Sequence, residues 1–308
     1  MKAVVTGGAG FIGSHIAIRL VKEGHEITVI DNLNTGDFNN LSEIEGKYKK
    51  MQAESAKVSE LDKVDVVFHQ GIYSSSPMYR NDRALLVKAI SDFHRVCEYC
   101  SKSGAKLVFA STSSIYNGHK PPHTESMTPM VKDFYTEARY PMERLAELYA
   151  QMFGMRYCAL RYFSVYGDHE ESKKGYANLV TQFIWKGLLD KTMKIFGDGS
   201  QRRDLINVND VVSANLAAAT KDVNGVFNVG NGVSYTLNDI KERVGKAMGK
   251  EIKSEYIKNP MKNYVDVVEA DTTKMKNVLG FAPQVKLDDG IRSAVDYYKE
   301  LKEIPDVD

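Results

Sequence analysis

The chain has 308 residues, 43% hydrophobic and 26% charged, with a net charge of +1. A chain of this length can bury roughly 75% of its unfolded surface, enough for one large domain or two modest ones. The near-neutral balance gives no electrostatic case for nucleic acid or an acidic membrane surface as partner, and no apolar run approaches the ~20 residues that span a bilayer.

Ala3, Val4 and Val5 read as a strand that begins at once, so no signal peptide is expected. The glycine-rich run Thr6-Gly7-Gly8-Ala9-Gly10-Phe11-Ile12-Gly13 follows, and Ile12, Ile16 and Leu20 then recur at helical spacing. Strand, glycine turn and helix N-terminus together form a seat for a pyrophosphate, because glycines admit a close approach and the first turn offers unpaired N–H groups. The helix should run to about Glu23 and stop at Gly24. A second strand over residues 26–30 ends at Asp31, 18 positions after Gly13. A carboxylate there accepts ribose hydroxyls and repels a 2′-phosphate, which favours NAD over NADP.

Short strands are expected over residues 48–53 and 64–70, the second almost wholly apolar, as in a parallel sheet covered on both faces. His69 reads as a hydrogen-bonded structural residue. The loop 71–77 carries Ser74, Ser75 and Ser76, either as a substrate loop or as a cap for the next helix. Residues 83–103 form an amphipathic helix with Leu86, Ile90, Phe93, Val96 and Cys97 on one face. Cys97 and Cys100 have the spacing of a redox or metal pair but lie in this helix with no second pair. With Cys158 they are expected to be inert buried thiols in a cytoplasmic protein, with no metal. A strand over 106–110 leads into Ser111-Thr112-Ser113-Ser114-Ile115-Tyr116, a helix over 136–153 follows, and 157–163 is a further strand. The alternation predicts an α/β fold, a doubly wound parallel (Rossmann) sheet. Helices are also expected over 176–189, 236–248 and 288–301.

Tyr135 and Arg139 stand four positions apart on one helix face. A cation beside a phenol can lower its pKa from ~10 and let it act as a base. Tyr140 and Arg144 repeat the spacing, so the pattern alone does not distinguish a site from a surface pair.

The residues quoted resemble the extended short-chain dehydrogenase/reductase family, specifically its nucleotide-sugar epimerases and dehydratases. The likeness covers nearly the whole chain. It continues through Leu160-Arg161-Tyr162-Phe163-Ser164-Val165-Tyr166-Gly167, Phe196-Gly197-Asp198-Gly199-Ser200-Gln201-Arg202-Arg203-Asp204, Phe227-Asn228-Val229-Gly230 and Val278-Leu279-Gly280-Phe281-Ala282-Pro283. The resemblance implies Gly7, Gly10, Phe11, Ile12 and Gly13 under the cofactor pyrophosphate, and Asp31 and Asn32 at the adenosine ribose. It implies Thr112 on the reacting sugar oxygen and Tyr135 as the catalytic tyrosine. Arg139 replaces the family's lysine, as a catalytic and a ribose-contacting residue. Ser164 is implied near the substrate diphosphate and Asn178 and Arg203 at its base or diphosphate, while Ser74 and Ser75 are candidate substrate contacts from the position of their loop. Ala89 replaces the usual asparagine of the helix after the serine loop, and Glu54 stands for an aspartate after the third strand.

Dehydratases of the family place an acid beside the Thr112 position. Here Ser113 and Ser114 stand there, and neutral hydroxyls cannot expel water in that way, so epimerisation is expected. The resemblance then implies a UDP-hexose 4-epimerase, in which a transient keto-sugar forms as hydride is lent to NAD and recovered. An ADP-heptose 6-epimerase-like enzyme, to which residues 68–71 with Ser74-Ser75-Ser76 and Lys262-Asn263-Tyr264 also point, and a non-catalytic dinucleotide-binding protein are the alternatives. An NAD-binding domain over 1–166 and a smaller C-terminal substrate-binding domain over 167–308 are expected, with the chain recrossing to the first around 205–230. A homodimer through helices 83–103 and 136–153 is implied by the resemblance alone.

Overall fold

The computed structural model describes residues 1–259 and 266–307. The first half alternates as β1 (Lys2–Thr6), α1 (Phe11–Lys22), β2 (Glu26–Asp31), β3 (Lys49–Gln52), β4 (Val66–His69), α2 (Ser76–Asn81), α3 (Ala84–Ser103), β5 (Lys106–Thr112), α4 (Phe134–Phe153) and β6 (Tyr157–Tyr162). The remainder comprises β7 (Ser164–Tyr166), α5 (Leu179–Leu188), β8 (Met193–Phe196), β9 (Arg202–Asn207), α6 (Val208–Thr220) and β10 (Gly225–Val229). It closes with β11 (Ser234–Thr236), α7 (Leu237–Met248), β12 (Ser254–Ile257), β13 (Val267–Val268) and α8 (Leu287–Lys299).

Seven strands form one parallel sheet in the order β10-β6-β5-β4-β1-β2-β3. Its strands are apolar along their length because both faces are covered. Successive side chains point to opposite faces. Val4, Ile30, Val67, Leu107 and Ala159 pack with α3 and α4, while Ala3, Val5, Val29, Phe68 and Cys158 pack with α1 and α6. The doubly wound sheet read from the sequence is therefore the fold. β10 returns the chain to this sheet beside β6, with Gly225 opposite Cys158 and Val229 opposite Tyr162.

The smaller part is built from α5, α7 and α8 around β8 and β9, with Trp185, Phe183, Ile240 and Tyr298 buried between them. β7, β9, β11 and β13 form a second sheet, and β8 pairs with β12. Cys97, Cys100 and Cys158 are buried and unpaired, and burial raises all three thiol pKa values. Among the described residues no cluster could hold a metal, and no helix is long and apolar enough to cross a membrane.

Of the element boundaries that differ from the sequence reading, two bear on the site. α4 begins at Phe134 rather than at residue 136, because Asp133 caps it. The Asp133 carboxylate accepts the Thr136 N–H at 2.8 Å, and the Thr136 hydroxyl oxygen accepts the Asp133 N–H at 3.2 Å. This puts Tyr135 in the first turn. β5 runs on to Thr112, which is still in register with Tyr162 of β6, so Thr112 is held by a strand rather than by a loop.

Candidate active site

The strand order reverses between β1 and β4, and loops at the carboxyl ends of strands on either side of such a switch enclose a crevice. The turn after β1 supplies its floor. Gly7 has φ +64°, and a Cβ on it would lie 2.5 Å from the Gly71 nitrogen. A Cβ on Gly13 would lie 2.0 Å from the Gly7 carbonyl oxygen, so α1 rests directly on the turn. Gly10 is the N-cap of α1. It offers no capping side chain, and no acidic residue stands in the first turn. The N–H groups at this terminus are thus oriented for an anion.

Asp31 closes β2 beside this turn and is buried. Its carboxylate accepts the Ala9 N–H at 2.9 Å and the Leu33 N–H at 2.8 Å. Burial raises its pKa, against the pull of those backbone donors. Asp31 therefore braces the glycine turn as well as lining the crevice, a task the sequence did not disclose. Asn32 lines it too, donating to Glu54 Oε2 at 3.0 Å and accepting the Asn34 N–H.

The other wall comes from β5, α4 and the loop after β4. Thr112 is 4% exposed, and its hydroxyl oxygen accepts the Ser114 N–H at 3.1 Å. Tyr135 is half-buried, its ring 5.8 Å from that of Tyr79 and its face 5.1 Å from the Arg139 guanidinium. Arg139 is 3% exposed. It donates to the Tyr73 carbonyl at 2.8 Å and to the Ala110 carbonyl at 3.2 Å, while its buried Nε–H has no partner among the described residues. Behind this wall Arg161 grips Glu143 through Nε and Nη2 at 2.9 and 2.6 Å and donates to the Tyr116 hydroxyl at 2.7 Å. A closed ring of hydrogen bonds sets a further side. Tyr162 OH donates to Gln70 Oε1 at 3.1 Å, Gln70 Nε2 to Asn215 Oδ1 at 3.2 Å, and Asn215 Nδ2 to Tyr162 OH at 2.8 Å.

These elements enclose a cleft of about 470 Å³. Gly7, Phe11, Ile12, Gly13, Asp31, Asn32, Ser74, Ser75, Thr112, Tyr135, Arg139 and Ser164 all line it, as do Glu54 and Ala89. Gly10 acts just below, where its N–H closes the turn onto the Gly7 carbonyl at 3.1 Å. Ser75 occupies the N-cap of α2, yet its hydroxyl caps nothing and is buried in the cleft wall without a partner among the described residues. Of the two readings of that loop, the side chain itself favours a ligand contact.

Asn178 and Arg203 do not line the cleft. The Asn178 side chain caps α5 by accepting the Val180 N–H at 3.0 Å, and its backbone N–H is spent on Glu170. Arg203 lies on β9, between β11 and β13, and its guanidinium donates to the carbonyls of Arg202 and Asp266 at 2.8 and 3.3 Å. Lys262, Asn263 and Tyr264 lie outside the described residues. The lining also includes Gln70, Tyr73, Asp92, Asn117, Lys132 and Lys173. In the sequence these read as ordinary polar positions, with no periodicity to set them apart.

His69, at the end of β4, is a buried, hydrogen-bonded residue, its Nδ1 2.7 Å from the Thr6 hydroxyl. Burial first, and the Arg139 charge second, push its pKa down to about 3. The folded protein therefore keeps His69 neutral between about pH 3 and 6.5, where the unfolded chain takes up a proton. The stability linked to this group is complete above about pH 6.5 and is lost as pH falls towards 3, by up to about 1.4 kcal/mol per unit. Urea unfolding at pH 7 and pH 5 checks this. Wild type should lose about 2 kcal/mol more than His69→Asn over that interval, and equal losses would show that His69 does not govern acid sensitivity.

The residues present fit a dinucleotide. The turn carries no side chain that would block a phosphate, the α1 terminus is uncapped, and the buried Arg139 Nε–H awaits an acceptor. Comparison with known proteins agrees. Residues 3–230 match the family model described as NAD dependent epimerase/dehydratase family. A UDP-glucuronate 4-epimerase of Thermodesulfobacterium geofontis is 30% identical over 98% of this chain and 97% of its own length. The structure of UDP-glucose 4-epimerase from Thermotoga maritima with UDP-glucose superposes with a TM-score of 0.91 at 32% identity, over 97% of this chain and 99% of that one. The Thermus thermophilus UDP-glucose 4-epimerase complex with NAD gives 0.87 at 28%, over 97% and 99%. By fold, by the cleft at its strand ends and by these matches, the chain belongs to the NAD-dependent epimerase/dehydratase family.

Proposed function

We propose that this protein is an NAD-dependent epimerase of a nucleotide-diphosphate sugar, acting at C4 of a UDP-hexose. One observation carries the reading: residues from five separate strand ends, Gly7, Asp31, Ser74, Thr112 and Ser164, line one cleft with Tyr135 and Arg139. The relatives that act on UDP-sugars supply the substrate class. Bound NAD supplies a reversible hydride acceptor for a sugar carbon, held by Gly7, Phe11, Ile12, Gly13, Asp31, Asn32 and Arg139. Tyr135 takes the proton from the sugar hydroxyl and returns it when the carbon is reduced again. Thr112 donates to that oxygen and keeps it in line with the phenol. The Arg139 Nε–H reaches a ribose hydroxyl, and its guanidinium faces the negative charge that develops on the phenol. Ser74, Ser75 and Ser164 hold the sugar and its diphosphate. Ser113 and Ser114 line the cleft next to Thr112, and neither can serve as the acid that a dehydration requires.

The same reading divides the labour along the chain. Residues 1–166 hold the dinucleotide, and residues 167–308 hold the nucleotide sugar apart from the return through β10. The outer face of α3 and α4 exposes Val87, Leu148, Met152 and Phe153, which supports a homodimer through these helices. Three buried free thiols support a cytoplasmic protein.

A panel of UDP-glucose, UDP-glucuronate and GDP-, dTDP- and ADP-sugars tests the function, with products analysed for C4 and C6 epimers. Lys132, a cation in the cleft lining, is the reason for the uronate arm. Inversion of a UDP-sugar at C4 without net reduction of NAD is expected. Inversion of an ADP-heptose at C6 would replace the reading with the alternative enzyme. No conversion alongside tight NAD binding would leave a non-catalytic dinucleotide-binding protein.

A further inference from the structure

The segment between β7 and α5 belongs to the smaller part of the molecule, yet it folds back over the glycine turn. His169 Nδ1 is 2.9 Å from the Ser14 hydroxyl, and its ring lies 4.5 Å from that of His15. A Cβ on Gly167 would stand 3.7 Å from the Phe11 ring. Four residues beyond His169, the Lys173 ammonium sits over the face of Phe11, 4.9 Å from the ring centroid. Phe11 is the first residue of α1, and Lys173 lines the cleft with Phe11, Ile12 and Gly13.

This lysine is not a loose surface cation. Its side chain is 14% exposed, and its ammonium donates to Glu170 Oε2 at 2.6 Å. Glu170 is itself 0% exposed and also accepts the Asn178 N–H at 2.8 Å and the Thr181 hydroxyl at 2.7 Å, so it is pinned to the start of α5. Glu171, the next carboxylate, is turned away to the Tyr297 hydroxyl. An ammonium carries three donors, and Glu170 takes one. Aligned N–H groups from an uncapped helix start, with no acid in its first turn, and a pinned ammonium beside them recognise a dense anion.

We propose that Lys173 is the counter-charge for the diphosphate of the bound dinucleotide, reaching across from the substrate-binding part of the chain. The proposal rests on the dinucleotide reading given above. It makes both parts of the molecule grip one cofactor, as suits an enzyme that must not release it between the two halves of its reaction. Lys173 is then a binding and positioning residue, and Glu170 holds it in place.

Calorimetric titration of adenosine, ADP, ADP-ribose and UDP into the wild type, Lys173→Met, Lys173→Gln and Lys173→Arg tests this. Gln retains a donor for Glu170 but no charge, and Arg retains both. ADP and ADP-ribose should bind about 10- to 100-fold more weakly to the Met and Gln variants, and near wild-type strength should persist in the Arg variant. Adenosine, which lacks phosphate, and UDP should be unaffected. The dependence of ADP-ribose affinity on salt should also be shallower in Met and Gln. Unchanged ADP-ribose binding in a Gln variant that melts like wild type would overturn the proposal. So would a loss confined to UDP, which would assign Lys173 to the substrate's diphosphate. A wild type that binds neither ADP nor ADP-ribose would instead refute the dinucleotide reading itself.

Discussion

Tyr135→Phe is expected to lower kcat for sugar epimerisation by about 10²- to 10⁴-fold, the range for removing a positioned proton-transfer group, and to leave NAD binding nearly intact. The change removes one oxygen and keeps the ring. That ring packs against Tyr79 and the Arg139 guanidinium, and the capping box of Asp133 and Thr136 sets its place in the first turn of α4. Neither restraint uses the phenolic oxygen, so the variant should fold and melt as wild type does. Conversion followed by chromatography, beside NAD titration of the same preparation, separates chemistry from binding. Turnover at the wild-type rate would remove Tyr135 from the mechanism.

Arg139 carries the second large effect, because it joins structure and chemistry in one side chain. Its guanidinium ties the loop after β4, through the Tyr73 carbonyl, to the end of β5, through the Ala110 carbonyl. Arg139→Met leaves both carbonyls without this partner at a nearly inaccessible site and removes the charge beside Tyr135. We expect a stability loss of about 2–6 kcal/mol, from about 1–3 kcal/mol for each of the two unsatisfied carbonyls, with kcat reduced at least about 100-fold. Arg139→Lys keeps the charge, but a single ammonium on a shorter reach cannot span both carbonyls as a planar fork does. It should lose about 1–3 kcal/mol of stability and keep most of the turnover. Urea midpoints and initial rates measured on both variants check this. A fully active Met variant would reduce Arg139 to a tether between two loops.

The sheet could be read from the chain because its signals are local. Apolar runs such as Val66-Val67-Phe68 mark strands covered on both faces, and helix-period runs such as Phe93, Val96 and Cys97 mark the layers that cover them. Gly104 and Gly154, both with positive φ, end α3 and α4 where a helix needs a left-handed residue. The glycine turn was equally legible, since a backbone that must touch backbone admits no Cβ at Gly7 or Gly13. The cleft residues were located by motif, and most of them do converge. Asn178 and Arg203 show the limit of that method. Motif position placed them near the substrate, but capping of α5 and pairing of β9 settled where their polar atoms point.

What the amino-acid order determined by itself was the succession of strands and helices and the glycine turn between β1 and α1. Each of these depends on neighbours within a few residues. Only the tertiary structure decided that Thr112 would be held by a strand, that Asp31 would brace the turn beside it, and that the Ser75 hydroxyl would be left unpartnered in the cleft wall. It also decided that Arg139 would spend two of its donors on backbone and keep its Nε–H without a partner among the described residues, and that Lys173, in a charged run, would return over Phe11. The physical reason is common to all of these. Where a polar group finds its partner is fixed by burial and by the meeting of segments far apart in the chain, and no local periodicity records that meeting.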